Sequence, residues 1–240
     1  MKIEKIRFMT EDELKLFGLL HLPEQKTKKV VIFIHGMHSN CLKERDDRIA
    51  VLEQELARLM KIDDNDDNDD DIELSNNLLL TTVNVLELLN DKDMDDLSDF
   101  VHPTKGVRFS PYGYIDVDNH LVFTAGQVDD LDDDTEVYTW GSYDGSGEDI
   151  DLDFDDYYYD FIFDVDFSDP ELIGNNAIIG IGNSLINIEE VYPDGHFVEL
   201  HFTGFDPQYE GIDWRSLRLV FETVNGDWYL VGIIHDEWTI

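Results

Sequence analysis

The clearest alternation of apolar and polar positions lies near the end of the chain. Over residues 216–224 the run SLRLVFETV alternates, Asn225-Gly226 follows, and residues 228–240 resume a strand-like pattern. An Asn-Gly pair between two such runs predicts a β-hairpin with a two-residue loop, because both loop positions need left-handed backbone. With that loop, Phe221 faces Leu230, Leu219 faces Gly232 and Leu217 faces Ile234, an apolar face throughout. The opposite face pairs Glu222 with Tyr229, Val220 with Val231, Arg218 with Ile233 and Ser216 with His235, since side chains alternate with period two. That second face is apolar in the middle and polar at its ends. It suits either the lining of a partly closed cavity or a covered sheet with a polar rim. On this register Arg218, Glu222, Tyr229 and His235 share a face and are the candidate ligand-pocket residues. Asp236 points away from His235, which argues against a dyad of the two, and His201 shares a face with Phe197 and Glu199.

Elsewhere, residues 3–9 and 14–22 read as strands, and the continuous apolar run VVIFI at 30–34 suits a strand buried on both faces. Helical spacing recurs over 42–62 through Ile49, Leu52, Leu56 and Leu59. It returns from Ser75 through Leu79, Val83, Leu86 and Leu89, with a short helix at 94–101. Strand-like runs follow at 113–117, 121–124, 137–140, 178–182 and 197–202, helices at 157–164 and 185–191, and DGSGE at 144–148 reads as a glycine-rich hairpin turn. The expected fold class is α+β.

Composition sharpens this picture chiefly through charge. The 240 residues are 42% hydrophobic, enough to fill a core, yet carry a net charge of -38. Residues 1–61 hold 12 basic and 10 acidic side chains, leaving 5 and 45 for the remainder. The break coincides with DDNDDNDDD at 63–71, which reads as a solvated linker and divides the chain into 1–61, 62–77 and 78–240. So negative a body repels phosphate backbones and anionic membrane surfaces; it favours cations and basic partners and excludes nucleic acid. A calcium loop starting at Asp63, with Asn65 and Asp67 as further oxygens, is the sharper reading of the run, but Asn68 stands where an EF-hand needs glycine and Leu74 where it needs a bidentate glutamate. Calcium is therefore kept as an alternative, with no cofactor or metal site assigned. Cys41 is the single cysteine, so no intramolecular disulfide forms. No apolar leader opens the chain, and residues 30–34 are too short to span a bilayer, so the chain as written is expected to be cytoplasmic, with no membrane span.

Two resemblances follow from specific stretches. The opening KIRFMTEDELKLFGLLHLPEQKTKKVVIFIHGMHSN resembles the first strands of an α/β-hydrolase. The resemblance implies that Gly36, Met37 and His38 belong to the loop whose backbone N–H helps form an oxyanion hole. A nucleophile elbow needs G-x-S-x-G, and the nearest stretch, Gly182-Asn-Ser184-Leu-Ile186, lacks the last glycine. Ser184, Asp213 and His235 nevertheless occur in the order of nucleophile, acid and base, which makes Ser184 and His235 the catalytic candidates of an alternative reading, a serine hydrolase of altered topology. His35 and His38 lie three apart, without further His or Cys ligands nearby.

The segments LLNDKDMDDLSDFVHPTKGVRFSPYGYID, YTWGSYDGSGEDIDLDF, YPDGHFVELHFTGFDPQYEGIDWRSLRLVFE and NGDWYLVGIIHDEWTI resemble an uncharacterised domain at the C-terminus of exported bacterial lipoproteins. Its layout, N-terminal helices followed by a curved antiparallel sheet, is similar to the NTF2-like (cystatin-like) fold. That fold serves enzymes, ligand pockets and interaction modules alike, so it does not fix an activity. The expectation is an acidic binding or interaction module at 78–240, preceded by a partial hydrolase-like segment. Two ancestries meeting at the charge break are what a fusion would leave.

Overall fold

The computed structural model describes the backbone of residues 2–9, 15–22, 29–33 and 69–77, and residues 78–239 in full. Residues 36–38, the helix expected at 42–62 and the start of the aspartate run at 63–68 lie outside the described residues.

Among the described residues the chain forms an α+β structure. The strands are β1 (Lys2–Met9), β2 (Lys15–Leu22), β3 (Lys29–Phe33), β4 (Val107–Ser110), β5 (Val122–Phe123), β6 (Tyr138–Ser142), β7 (Asp149–Leu152), β8 (Leu172–Asn175), β9 (His196–Phe202), β10 (Arg215–Val224) and β11 (Asp227–Glu237). The helices are α1 (Asp69–Asp91), α2 (Met94–Ser98), α3 (Ala125–Asp129), α4 (Phe154–Phe161) and α5 (Ile188–Val191). Nine strands make one sheet in the order β1-β2-β3-β8-β9-β10-β11-β4-β5, and β6 and β7 form a separate hairpin. The sheet is mixed rather than antiparallel throughout: β4 runs parallel to β11, with Gly232 opposite Arg108 and Ile234 opposite Ser110. Strand β3 joins through antiparallel pairing of Val31 with Gly174 and Ile32 with Ile173. Helix α1 starts at Asp69, inside the stretch read as linker, and acidic residues in a first turn suit the positive end of a helix dipole.

The hairpin forms where its sequence places it. Asn225 and Gly226 have φ of 56° and 97°, the left-handed pair that such a turn requires, and Phe221–Leu230, Glu222–Tyr229, Thr223–Trp228 and Val224–Asp227 pair as expected. Beyond Phe221 the register slips by one residue: Val220 faces Gly232, Leu219 faces Ile233, Arg218 faces Ile234, Leu217 faces His235 and Ser216 faces Asp236. The extra residue is a β-bulge on β11 at Val231-Gly232, and past it every β11 side chain changes face.

One face of the sheet carries Val198, Leu200, Leu217, Leu219, Phe221, Leu230 and Ile233 into the main core. There they meet Leu78, Val85 and Leu89 of α1, Met94 and Leu97 of α2, and the aromatic side of α4. Trp140 of β6 stacks on Tyr157 with centroids 3.8 Å apart, and Phe109 of β4 meets both edge-on. The other face has an apolar half of Phe197, Val220, Val231 and Ile234, closed by Ile115 and Ile188. Its second half is ionic.

The stretches 113–117 and 178–182, read as strands, are irregular segments that contact this second face. Their backbone groups bond side chains instead of a ladder. Ile115 exchanges bonds with the Asn187 amide, and the Ile179 and Gly180 N–H groups donate to Glu199.

Candidate functional site

The ionic half of the second face is built from alternate positions of three adjacent strands: Glu199 and His201 of β9, Ser216 and Arg218 of β10, and Asp236 of β11. All five side chains are buried. Arg218 Nη1 donates to Asp236 Oδ2 at 2.7 Å, while Nη2 donates to the Gly180 carbonyl at 2.9 Å and to Glu199 Oε1 at 3.2 Å. Glu199 also accepts from the backbone N–H of Ile179 at 2.7 Å and of Gly180 at 2.8 Å, and from the Ser216 hydroxyl at 2.7 Å. Because that hydroxyl proton points to Glu199, Ser216 Oγ accepts from His201 Nδ1, 2.8 Å away. Burial alone would lower the basicity of Arg218, but Glu199 and Asp236 outweigh it and hold the guanidinium above its ordinary value. For Asp236 burial wins, and its carboxyl is raised despite Arg218. Burial holds His201 below the usual imidazole range. The five side chains form one connected network of hydrogen bonds, in which Arg218 Nε is buried without a partner among the described residues.

The bulge decides which expected pocket residues belong here. Arg218 and His235 do not share a face. His235 points into the opposite core, edge-on to Phe161 at 5.9 Å. Its Nδ1 lies 3.2 Å from the Pro111 carbonyl and Nε2 lies 3.4 Å from Asp164 Oδ1. Asp236 takes the place beside Arg218 that was expected for His235. Burial would raise Asp164, but His235 and Arg215, whose Nε donates at 2.7 Å, hold its carboxyl below the usual range. Glu222 and Tyr229 remain opposite one another across the hairpin, with Glu222 paired to Lys105 and Tyr229 packed edge-on against His102. Arg218 is fully buried, so these four residues do not line one open pocket.

Ser184, Asp213 and His235 have separate partners. The Ser184 hydroxyl donates to Asp144 Oδ2 at 2.8 Å, and Asp213 Oδ2 accepts from the N–H groups of Phe205 and Asp206 at 3.0 and 2.7 Å. Gly36, Met37 and His38 lie outside the described residues. Among the described residues no group of three or more His, Cys, Asp or Glu side chains is placed to hold a metal ion, and no helix is long and apolar enough to cross a membrane.

A cavity that the sequence reading did not single out opens beside the apolar half of the same face, next to α5 and the turn 192–195. Its one sequence-level signal is the alternation that puts Phe197 and Val220 on this face. No protein-family model, no curated protein and no solved structure matches the chain.

Proposed function

We propose that the chain is a non-catalytic, acidic binding module whose α+β unit, arranged on an NTF2-like plan, engages cationic partners. The observation that carries this reading is the fate of its cations. Only five Lys or Arg side chains accompany 45 carboxylates after residue 61, and each of the five is already engaged internally. Lys92 pairs with Asp155 against the rings of Phe154, Tyr158 and Tyr159, and Lys105 pairs with Glu222. Arg108 donates to the carbonyls of Val117 and His120, Arg215 binds Asp164 and Glu237, and Arg218 is enclosed by Glu199 and Asp236. Most of the other carboxylates among the described residues are exposed, with no Lys or Arg left to pair them, and such a field concentrates and steers cations.

The test is fluorescence anisotropy with a labelled Lys/Arg-rich peptide and a Glu-rich control of equal length. The basic peptide should bind, weakening steeply as salt rises from about 50 to about 300 mM, where the screening length shortens to several ångströms. No binding at low salt, equal binding of both peptides, or an esterase activity abolished by Ser184→Ala would overturn the proposal.

A further inference from the structure

The cavity beside α5 has a volume of about 470 Å3, within the roughly 300–1,000 Å3 of small-molecule sites. Ile188, Glu189, Tyr192, His196, Phe197 and Val220 are among its lining residues. Three of these, Ile188, Phe197 and Val220, belong to the small apolar cluster on the second face of the sheet, so part of the wall is hydrophobic.

Tyr192 is held in place by backbone on several sides. Its hydroxyl donates to the Val231 carbonyl at 3.2 Å. A Cβ added to Gly195 would lie 2.9 Å from Tyr192 Cβ, and one added to Gly232 would lie 3.0 Å from the Tyr192 hydroxyl. Gly232 follows the unpaired Val231 in the bulge, so the segment that resets the hairpin register also leaves room for this ring.

The charge around the cavity is negative where it is exposed. Glu189 lines it, Glu190 follows in α5, and Asp194 precedes Gly195; all three are exposed. No described residue pairs with the Glu189 carboxylate, and no Lys or Arg lines the cavity. Arg108 acts at the other end, close enough to the Tyr192 phenol to oppose the rise that burial imposes on it. Burial holds His196 below the usual imidazole range, which keeps it neutral near pH 7.

We propose that this cavity binds a small organic cation with an apolar body: the body rests on Ile188, Phe197 and Val220, and the ammonium group sits at Glu189 beside Tyr192 and His196. The inference deepens the reading of an acidic module and rests on it, because the surrounding field supplies the cation. An anion meets the Glu189 carboxylate, with Glu190 and Asp194 next to lining residues in the chain. A neutral ligand gains the wall but not the ion pair or the attraction of the aromatic ring for a cation.

NMR titration tests it, using benzyltrimethylammonium as the probe, with benzyl alcohol and benzoate as neutral and anionic comparators. The cation should produce saturable shifts at the Ile188 and Val220 methyl groups and the His196 ring. Benzoate should produce none, and benzyl alcohol should bind several-fold more weakly. Glu189→Gln, an exposed change, should weaken cation binding roughly three- to tenfold and leave benzyl alcohol unaffected. Benzyl alcohol binding as tightly as the cation, an indifferent Glu189→Gln variant, or shifts absent from Ile188 and Val220 would overturn the inference. If the basic peptide binds and the cavity shifts are missing, the cavity assignment alone fails; if the shifts appear without peptide binding, the broader reading alone fails.

Discussion

Replacing Arg218 by methionine is the most informative single perturbation of this structure. The side chain keeps most of its volume and loses three donor contacts, to Asp236, Glu199 and the Gly180 carbonyl. The loss is unequal between the two acids. Glu199 keeps the donors of Ile179, Gly180 and Ser216, whereas Asp236 retains no other donor among the described residues. Removing one partner of a buried pair costs about 3–5 kcal/mol, a large part of the roughly 5–15 kcal/mol that holds a domain folded. At about 2–4 °C per kcal/mol for a unit of this size, the melting temperature should fall by roughly 6–20 °C near neutral pH.

The loss should also depend on pH. Asp236 is already raised by burial against the opposition of Arg218, and the variant removes that opposition. A carboxyl raised in the folded state contributes stability that is complete below its unfolded value and disappears as pH rises through the folded one. Thermal melts followed by circular dichroism should therefore show a larger deficit at about pH 8 than at about pH 4.5. Arg215→Met serves as the comparison: that side chain is 26% exposed and pairs with Asp164 and Glu237, so its removal should cost only about 1 kcal/mol. Equal losses from the two variants, or an Arg218→Met deficit independent of pH, would refute the reasoning.

Three further outcomes follow from local geometry. Gly113→Ala would place a methyl group 2.5 Å from Asp236 Oδ2 and 2.8 Å from its Cγ; the carboxylate must shift away from Arg218, and chemical denaturation should register a loss of about 1–3 kcal/mol. His120 is lowered to about 4 by burial, helped by Arg108 against Asp116. Its ring should stay neutral in an NMR titration until pH nears 4, and its contribution to stability should be complete above the unfolded value of about 6.5 and decline as pH falls from there toward the folded value. Trp140→Ala removes the ring stacked on Tyr157 and should cost about 3–5 kcal/mol, visible as a lowered urea midpoint; a midpoint unchanged from the parent would contradict the packing at the heart of the main core.

The sequence yields local order more readily than it yields the site. Asn225-Gly226 and the alternation of 216–224 disclose the hairpin, and four pairs next to the turn follow directly. The bulge two residues farther on is marked only by Gly232, and a single inserted residue is enough to exchange His235 for Asp236 beside Arg218. Strands β4 and β8 are four residues each and depend on partners far along the chain, so their own patterns carry little signal. Residues 113–117 and 178–182 have strand-like composition, yet the buried network draws on the backbone of 178–182 and Asn187 binds that of Ile115. The Glu199, His201, Ser216 and Arg218 group was legible only as strand faces; joining the faces needed the order of β9, β10 and β11. The cavity needed more still, since Tyr192, Gly195 and Gly232 meet only once α5 and the bulge are in place.

The place of β11 has a consequence for biosynthesis. It comes last in chain order among the described strands, yet it lies between β10 and β4, and β4 runs parallel to it across more than a hundred residues of intervening chain. A nascent chain emerging from the ribosome therefore exposes β4 well before the strand that seals it can appear, whereas β10 is followed by β11 after only Asn225 and Gly226. During that interval β4 has only the two residues of β5 as a ladder partner. Distant closure of this kind is slow and leaves unpaired edges prone to association. Ribosome-stalled chains ending before Asp227 should accordingly recruit holdase chaperones and remain protease-sensitive, with protection appearing in one step once β11 has cleared the exit tunnel.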